Sequence, residues 1–175
     1  MTSEVSMDVT ITYLEMLDPA RLRPGVRTVR GLTYELAQSG AASDFRINRQ
    51  WYCEVGRDWT WTDRLVWSDA KWQAYVTQAG FETWIATLDG VPAGYFELDH
   101  QPDSGPEIAS FGLLREFVGS GLGGPMLTAA IKRAWQKQPP RVWLHTCTLD
   151  HPHALANYQA RGFEIYKTET ERHAR

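Results

Sequence analysis

The chain has 175 residues, 18 basic and 21 acidic side chains and a formal charge of -3, with no long run of one sign. That length fits one domain (1–175) with its own core, and that charge pattern speaks against a nucleic-acid arm or a polybasic membrane patch, leaving a small molecule as the expected partner. Two cysteines, Cys53 and Cys147, stand far apart without metal-ligand spacing, so neither a disulfide framework nor a metal site is indicated.

The N-terminus, "MTSEVSMDVTITYLEM", carries acids where a leader needs a basic start, and no stretch is long and apolar enough to span a bilayer; the expectation is a soluble, cytoplasmic protein. Residues 9–16 alternate and are β-branched, which predicts a strand, followed by a proline-containing loop. Residues 24–42 are poor in pattern, although "RTVRGLTYEL" has room for a short extra strand. Ser43 as cap, apolar Phe45, Ile47, Trp51 and Tyr52, and a closing Gly56 predict a first helix. Ser68, then Trp72, Tyr75 and Val76, and a stop at Gly80 predict a second. The chain holds eight tryptophans, several of them between Trp51 and Trp72.

The period then changes. "FETWIATLDGVPAGYFELDH" is two alternating runs around Asp89-Gly90, a strong hairpin signal, and residues 106–114 add a third strand to an antiparallel meander. After a glycine cluster, Met126, Leu127, Ala130, Ile131 and Ala134 fall at helical spacing until Pro139 and Pro140. "RVWLHTCTL" is a short apolar strand, closing a single βαβ unit. A last helix with Pro152 in its first turn and Gly162 at its end leads to an alternating final strand.

The cluster "FVGSGLGG" (residues 117–124) opens the helix of the βαβ unit. Gly119, Ser120, Gly121, Leu122, Gly123 and Gly124 leave first-turn amides unpaired and unshielded, the arrangement that holds phosphate. The letters also satisfy the dinucleotide pattern G-x-G-x-x-G, with Asp150 as its acid. That fingerprint needs glycines tight against a strand within repeated parallel units, whereas "REFV" intervenes here and a meander precedes it.

Together with a second motif, the cluster gives the chain its resemblance to a known family. "VGSGLG" (118–123) is similar to the Gln/Arg-x-x-Gly-x-Gly/Ala signature of the GNAT family of acetyl-CoA-dependent N-acetyltransferases, and "ALANYQARGF" (154–163) is similar to its A-x-x-x-Y-x-x-x-G-F helix. The two occur in the family's order, within its sequence of elements. The resemblance implies an α/β fold with a mixed central sheet: an antiparallel N-terminal meander and one βαβ unit carrying the coenzyme loop. It implies acetyl transfer from acetyl-CoA, a cosubstrate, to a primary amine by direct attack, with no metal, in a monomer or homodimer. The pyrophosphate would sit on residues 119–124, the pantetheine arm on Phe111, Gly112 and Leu113, and Tyr158 would be the acid that protonates the departing thiolate. Val118 departs from the family's Gln or Arg, so the loop is expected to rely on backbone amides. His151 stands where an Asn is frequent, and either hydrogen-bonds the pantetheine or caps the helix. His145 alternates into its strand and reads as a satisfied core or cleft histidine.

Amide formation also needs a proton acceptor. Glu107, at the start of the strand leading to the loop, is the first candidate and Glu97 the second; each reads otherwise as an edge glutamate. The segment "GRDWTWTDRLVW" (56–67) falls where the family binds its acceptor, and Trp59, Trp61 and Asp63 suit a cationic amine, small or peptide-borne, unless they pack between the helices. Two other readings stand: a non-catalytic acyl-CoA-binding domain, to which Val118 points, and a nucleotide-binding oxidoreductase.

Overall fold

A computed structural model describes residues 6–174. Residues 1–5, part of the acidic start weighed against a leader, and residue 175 lie outside the described residues. The elements in chain order are β1 (Ser6–Met16), β2 (Leu32–Ser39), α1 (Phe45–Gly56), α2 (Asp69–Val76), β3 (Phe81–Leu88), β4 (Val91–Gln101), β5 (Gly105–Leu113), α3 (Gly123–Trp135), β6 (Val142–Cys147), α4 (Ala154–Ala160) and β7 (Glu164–Ala174). The extra strand is real and is β2.

Local signals account for most boundaries. Asp89 (φ +50°) and Gly90 (φ +80°) are both left-handed, the backbone of a two-residue hairpin turn that matches strand twist. Ser68 caps α2 by accepting from the Lys71 N–H at 3.2 Å. α4 stops at Gly162, with the Phe163 N–H reaching back to the Tyr158 carbonyl and the Gly162 N–H to that of Gln159, a Schellman ending. Three expectations shift by a few residues. Asp44, not Ser43, caps α1, because its carboxylate reaches the Arg46 N–H at 2.9 Å. α2 ends at Val76, where the Thr77 hydroxyl donates back to the Gln73 carbonyl; Gly80 serves the turn into β3. Pro152 lies before α4, whose N-cap is His153.

The seven strands form one sheet in the order β2-β3-β4-β5-β6-β1-β7. β2 to β5 are an antiparallel meander. β5 and β6 are parallel and pair at a single register position, Glu107 with Trp143. That junction is fastened by Trp143 Nε1 donating to the Gly105 carbonyl at 3.2 Å and Arg141 Nε donating to that of Ser104 at 2.7 Å. Beyond it the strands part. The register between β4 and β5 slips at Glu97/Leu98, leaving Ala109 as an extra residue on β5, and a bulge of this kind bends its strand, here at the start of the gap. β1 lies between β6 and β7, antiparallel to both.

Alternation assigns the faces. Phe96 and Trp84 pair across β4 and β3 and turn toward α3, where Arg133 lies over the Trp84 ring; Leu14, Leu98, Ile108, Leu127, Ile131 and Leu144 close the core there. Glu97 and Thr83, the next pair along, turn the other way and meet Asn48 of α1. Gly112 of β5 lets α1 approach, since a Cβ there would strike Val55.

Candidate active site

The gap between β5 and β6 opens a cleft of about 1410 Å³ that runs from the glycine loop, past Tyr158, to Glu107 and His145. At the loop end, a single turn over Arg115–Phe117 follows β5, and the chain reverses through Gly119 (φ +81°) and Gly121 (φ +83°). α3 starts behind Leu122 with no capping side chain, so the N–H groups of Gly123 and Gly124 have no partner within the helix and carry its partial positive charge. A Cβ on Gly123 would meet nothing nearer than Asn157 Nδ2 at 3.5 Å, and one on Gly119 nothing within 4 Å. The backbone is therefore open at Gly119 and Gly123, as an anion cradle requires, whereas Gly121 and Gly124 lie against the guanidinium groups of Arg27 and Arg161. Val118, Gly119, Gly121 and Gly123 line the cleft. Leu122 is buried in the core, and Ser120 turns its hydroxyl onto the Phe117 carbonyl.

Two arginines from other segments flank the loop. Arg27, from the stretch before β2, donates Nη1 to the Ser120 carbonyl at 3.0 Å, and Arg161, after α4, stands beside Gly124. Cationic groups from distant segments thus stand beside the loop whose own Val118 is apolar.

Midway along the cleft, Phe111, Gly112 and Leu113 form the β5 wall and Tyr158 the α4 wall. The Tyr158 ring meets Phe111 edge-on at 6.2 Å and Phe163 at 6.5 Å. Burial, and then the charge of Asp150, push its phenol far above the ordinary tyrosine value, so it stays a protonated donor. His151 borders the cleft, its Nδ1 accepting from the His153 N–H at 3.0 Å and its ring edge-on to Trp59 at 4.7 Å. Burial, then His153, lower its pKa. That bond closes the turn before α4 on the N–H of the N-cap residue and does not cap a first-turn amide of the helix.

At the far end Glu107 is buried at the strand junction. Its Oε1 lies 2.9 Å from His145 Nδ1 and its Oε2 accepts from Gln101 Nε2 at 3.3 Å. Of the two places expected for His145, core or cleft, the structure shows the cleft: its side chain is 47% exposed and lines it. The hydrogen bond that it makes to the Glu107 carboxylate raises its pKa against the opposing effect of burial. Asp99, beside Glu107, is raised by burial and also borders the cleft.

The aromatic segment after α1 divides in two. Trp59, Trp61 and Asp63 line the cleft. Trp61 donates Nε1 to Asp150 at 3.0 Å, while Asp150 also accepts from Thr146 Oγ1 at 2.6 Å and the Cys147 N–H at 3.0 Å. Asp150 is therefore a fastener between this segment and the turn after β6, not a ribose ligand. Arg64 lies over the rings of Tyr75 (4.5 Å), Trp67 (5.3 Å) and Tyr52 (5.4 Å) and pairs with Glu97 at 2.7 Å. The aromatic cage already holds a cation, and it is the protein's own. Glu97 is fully buried, bonded also to Asn48 at 2.6 Å, and does not border the cleft; as a candidate base or acceptor ligand it is corrected to a structural ion pair, because a carboxylate so buried needs a partner. The sequence reading missed Arg27, Asp99, Gln101 and the exposure of His145. Only His145 had a sequence signal, its alternation with Trp143 and Cys147 toward one face.

The described residues thus form an α/β fold: a seven-stranded mixed sheet that parts beside a glycine-opened helix. Residues 46–163 match the model of the acetyltransferase (GNAT) family; the chain belongs to that family. No protein of curated function matches in sequence. Among solved structures, it is similar to a GCN5-related N-acetyltransferase from Sphaerobacter thermophilus, with TM-score 0.70 and 15% identity over 95% of this chain and 51% of that one. A GCN5-related N-acetyltransferase from Kribbella flavida gives 0.64 and 18% over 97% and 60%. An aminoglycoside acetyltransferase from an uncultured soil metagenomic sample gives 0.56 and 18% over 75% and 87%. The chain spans about 51–60% of the length of the first two.

Proposed function

We propose that the protein transfers an acetyl group from acetyl-CoA to the primary amine of a small cationic acceptor. The observation that carries this reading is the continuity of one cleft, with open helix-end amides at one end, a buried phenol midway and a carboxylate–imidazole pair at the other. The amides of Gly119, Gly121, Gly123 and Gly124, with Arg27 and Arg161 beside them, suit the pyrophosphate. The parting of β5 from β6 leaves backbone at residues 111–113 for the pantetheine arm. Attack of the amine on the thioester carbonyl forms the C–N bond; as the C–S bond breaks, Tyr158 gives its hydroxyl proton to the thiolate. The amine's proton leaves toward Glu107.

The acceptor end favours a cation. Asp63, Asp99, Glu107 and Asp150 border the cleft, while its arginine, Arg64, is neutralised by Glu97. An amine that is cationic at neutral pH meets Coulomb attraction there, and one of the structural neighbours is named for acetylating aminoglycosides. The test is titration with coenzyme A, NAD and FAD, followed by thiol release from acetyl-CoA across a panel of mono- and polyamines. Coenzyme A binding with amine-dependent thiol release, and loss of turnover but not binding in Tyr158→Phe, is the expected result. Binding of a dinucleotide without coenzyme A would overturn the reading, and binding without release to any amine would return the protein to a non-catalytic acyl-CoA-binding domain.

A further inference from the structure

His145 and Glu107 reach each other from strands that are otherwise drawing apart. Glu107 is the β5 residue paired with Trp143, so His145, two residues further along β6, is the first side chain on that face past the junction. Its Nδ1 lies 2.9 Å from Glu107 Oε1. A carboxylate against Nδ1 fixes the tautomer, with the proton on Nδ1 and the lone pair on Nε2. The ring is steadied by Tyr13 of β1 at 5.7 Å and Trp143 at 6.4 Å. The two partners differ in access: the Glu107 side chain is 11% exposed and that of His145 47%. An acceptor amine therefore meets the imidazole before the carboxylate, whose oxygens are already engaged by His145 and Gln101.

We propose that His145 is the catalytic base, accepting the amine's proton at Nε2 from the acceptor end of the cleft, and that Glu107 is a positioning residue that orients the ring. This rests on the acetyltransferase reading and moves the proton acceptor from the carboxylate to its partner. The proton that leaves the attacking nitrogen converts the imidazole to imidazolium, Nδ1–H remains bonded to Glu107, Tyr158 gives its hydroxyl proton to the departing thiolate and regains one from solvent, and the imidazolium returns its proton to solvent. Against the ring stand Glu107 from β5 and Tyr13 from β1, whose hydroxyl is donated to Glu169 of β7; Asp150 from the turn after β6 and Arg64 from the segment after α1 act on its charge; and Asp99 and Gln101 from β4, Cys147 from β6 and Glu171 from β7 line the same cleft. Glu107 and Asp150 favour the imidazolium; burial and Arg64 oppose it. The activity therefore falls on the acid side through a group above the ordinary histidine value.

The experiment compares kcat/KM against pH for the wild type, His145→Gln and Glu107→Gln, with coenzyme A affinity as the check on folding. His145→Gln is expected to lose about 10²–10³-fold in kcat, within the range for a general base, to bind coenzyme A as before and to lose the acid limb. Glu107→Gln is expected to lose less and to keep the limb, moved to lower pH, because the anion that favours imidazolium is gone. Imidazole NMR titration of the same two proteins reads that movement without turnover. The proposal is overturned if His145→Gln keeps the wild-type rate and limb while Glu107→Gln is inactive, or if the imidazole titrates identically in wild type and Glu107→Gln. A wild type that binds coenzyme A and acetylates no amine overturns the acetyltransferase reading itself, and the base with it.

Discussion

Replacing Glu97 with Gln keeps the side chain's shape and its acceptor for Asn48 and removes one charge. The charge left behind is Arg64, whose side chain is 13% exposed and whose partner is 0% exposed. Burial alone would depress the guanidinium's pKa; Glu97 more than offsets that and raises it. Removing one partner of such a pair costs about 3–5 kcal/mol. At about 2–4 °C of Tm per kcal/mol for a chain of this size, the fall is about 6–20 °C. Thermal and urea unfolding followed by circular dichroism measure it, with tryptophan fluorescence as a second probe because Trp67 and Trp72 lie over the guanidinium. The double variant Arg64→Met/Glu97→Met should recover most of the loss, since apolar replacement of a whole buried pair is often near neutral. Coenzyme A affinity should not change. A loss below about 1 kcal/mol for Glu97→Gln, or a double variant that merely sums the two singles, would refute the reasoning and return Glu97 to the list of candidate site residues.

Gly123→Ala has room for its methyl and should fold normally, yet it places that methyl beside the amides; coenzyme A affinity, by calorimetry, should fall about 10–100-fold, the equivalent of one charge-assisted hydrogen bond. Arg27→Ala removes a cation beside the loop and should weaken coenzyme A binding while lessening its salt dependence, read from titrations at two ionic strengths. Asp150→Ala strips Trp61, Thr146 and the Cys147 N–H of their acceptor and should lower stability by about 1–3 kcal/mol, measured by urea unfolding. Burial alone would raise the pKa of Glu82, but its bonds to His100, Arg133 and Trp84 win and hold it at about 2, below the ordinary glutamate value. Because the folded value lies below the unfolded one, the stability is complete above about pH 4.5 and is lost as pH falls toward 2. Glu82→Gln should lose about 3 kcal/mol at pH 7 and flatten that acid transition in urea melts.

Local grammar carried far in this sequence. The Asp89-Gly90 hairpin, the Ser68 cap, the Gly162 stop and the glycine loop each follow from a few adjacent residues. What could not be read there depends on partners 93 or more residues away, or on burial. The place of β1 between β6 and β7 is set by pairings such as Leu14 with Leu144 and Thr10 with Thr170, and alternation within β1 says only that it has two faces. Arg64 looks like a surface charge until the fold surrounds it with Tyr52, Trp67 and Tyr75. Arg27 lies in the stretch poorest in pattern, and only the folded chain brings it to Ser120. Among the candidate residues, the family motifs located the glycine loop and Tyr158 beside the cleft, whereas Glu97 was ranked by alternation, which cannot tell a cleft face from one covered by α1.

The location of β1 also orders events in time. It precedes the other described strands, and neither of its neighbours exists until residues 142–147 and then 164–174 have been synthesised. The meander β2–β5 can assemble on local hairpins during translation, but β6 has only one residue pairing with β5 and depends on β1 for its longer ladder. Such contacts at great sequence separation slow folding. β1, an alternating and β-branched segment, therefore waits without its ladder partners until β6 has been made, and misassembly would begin in that interval.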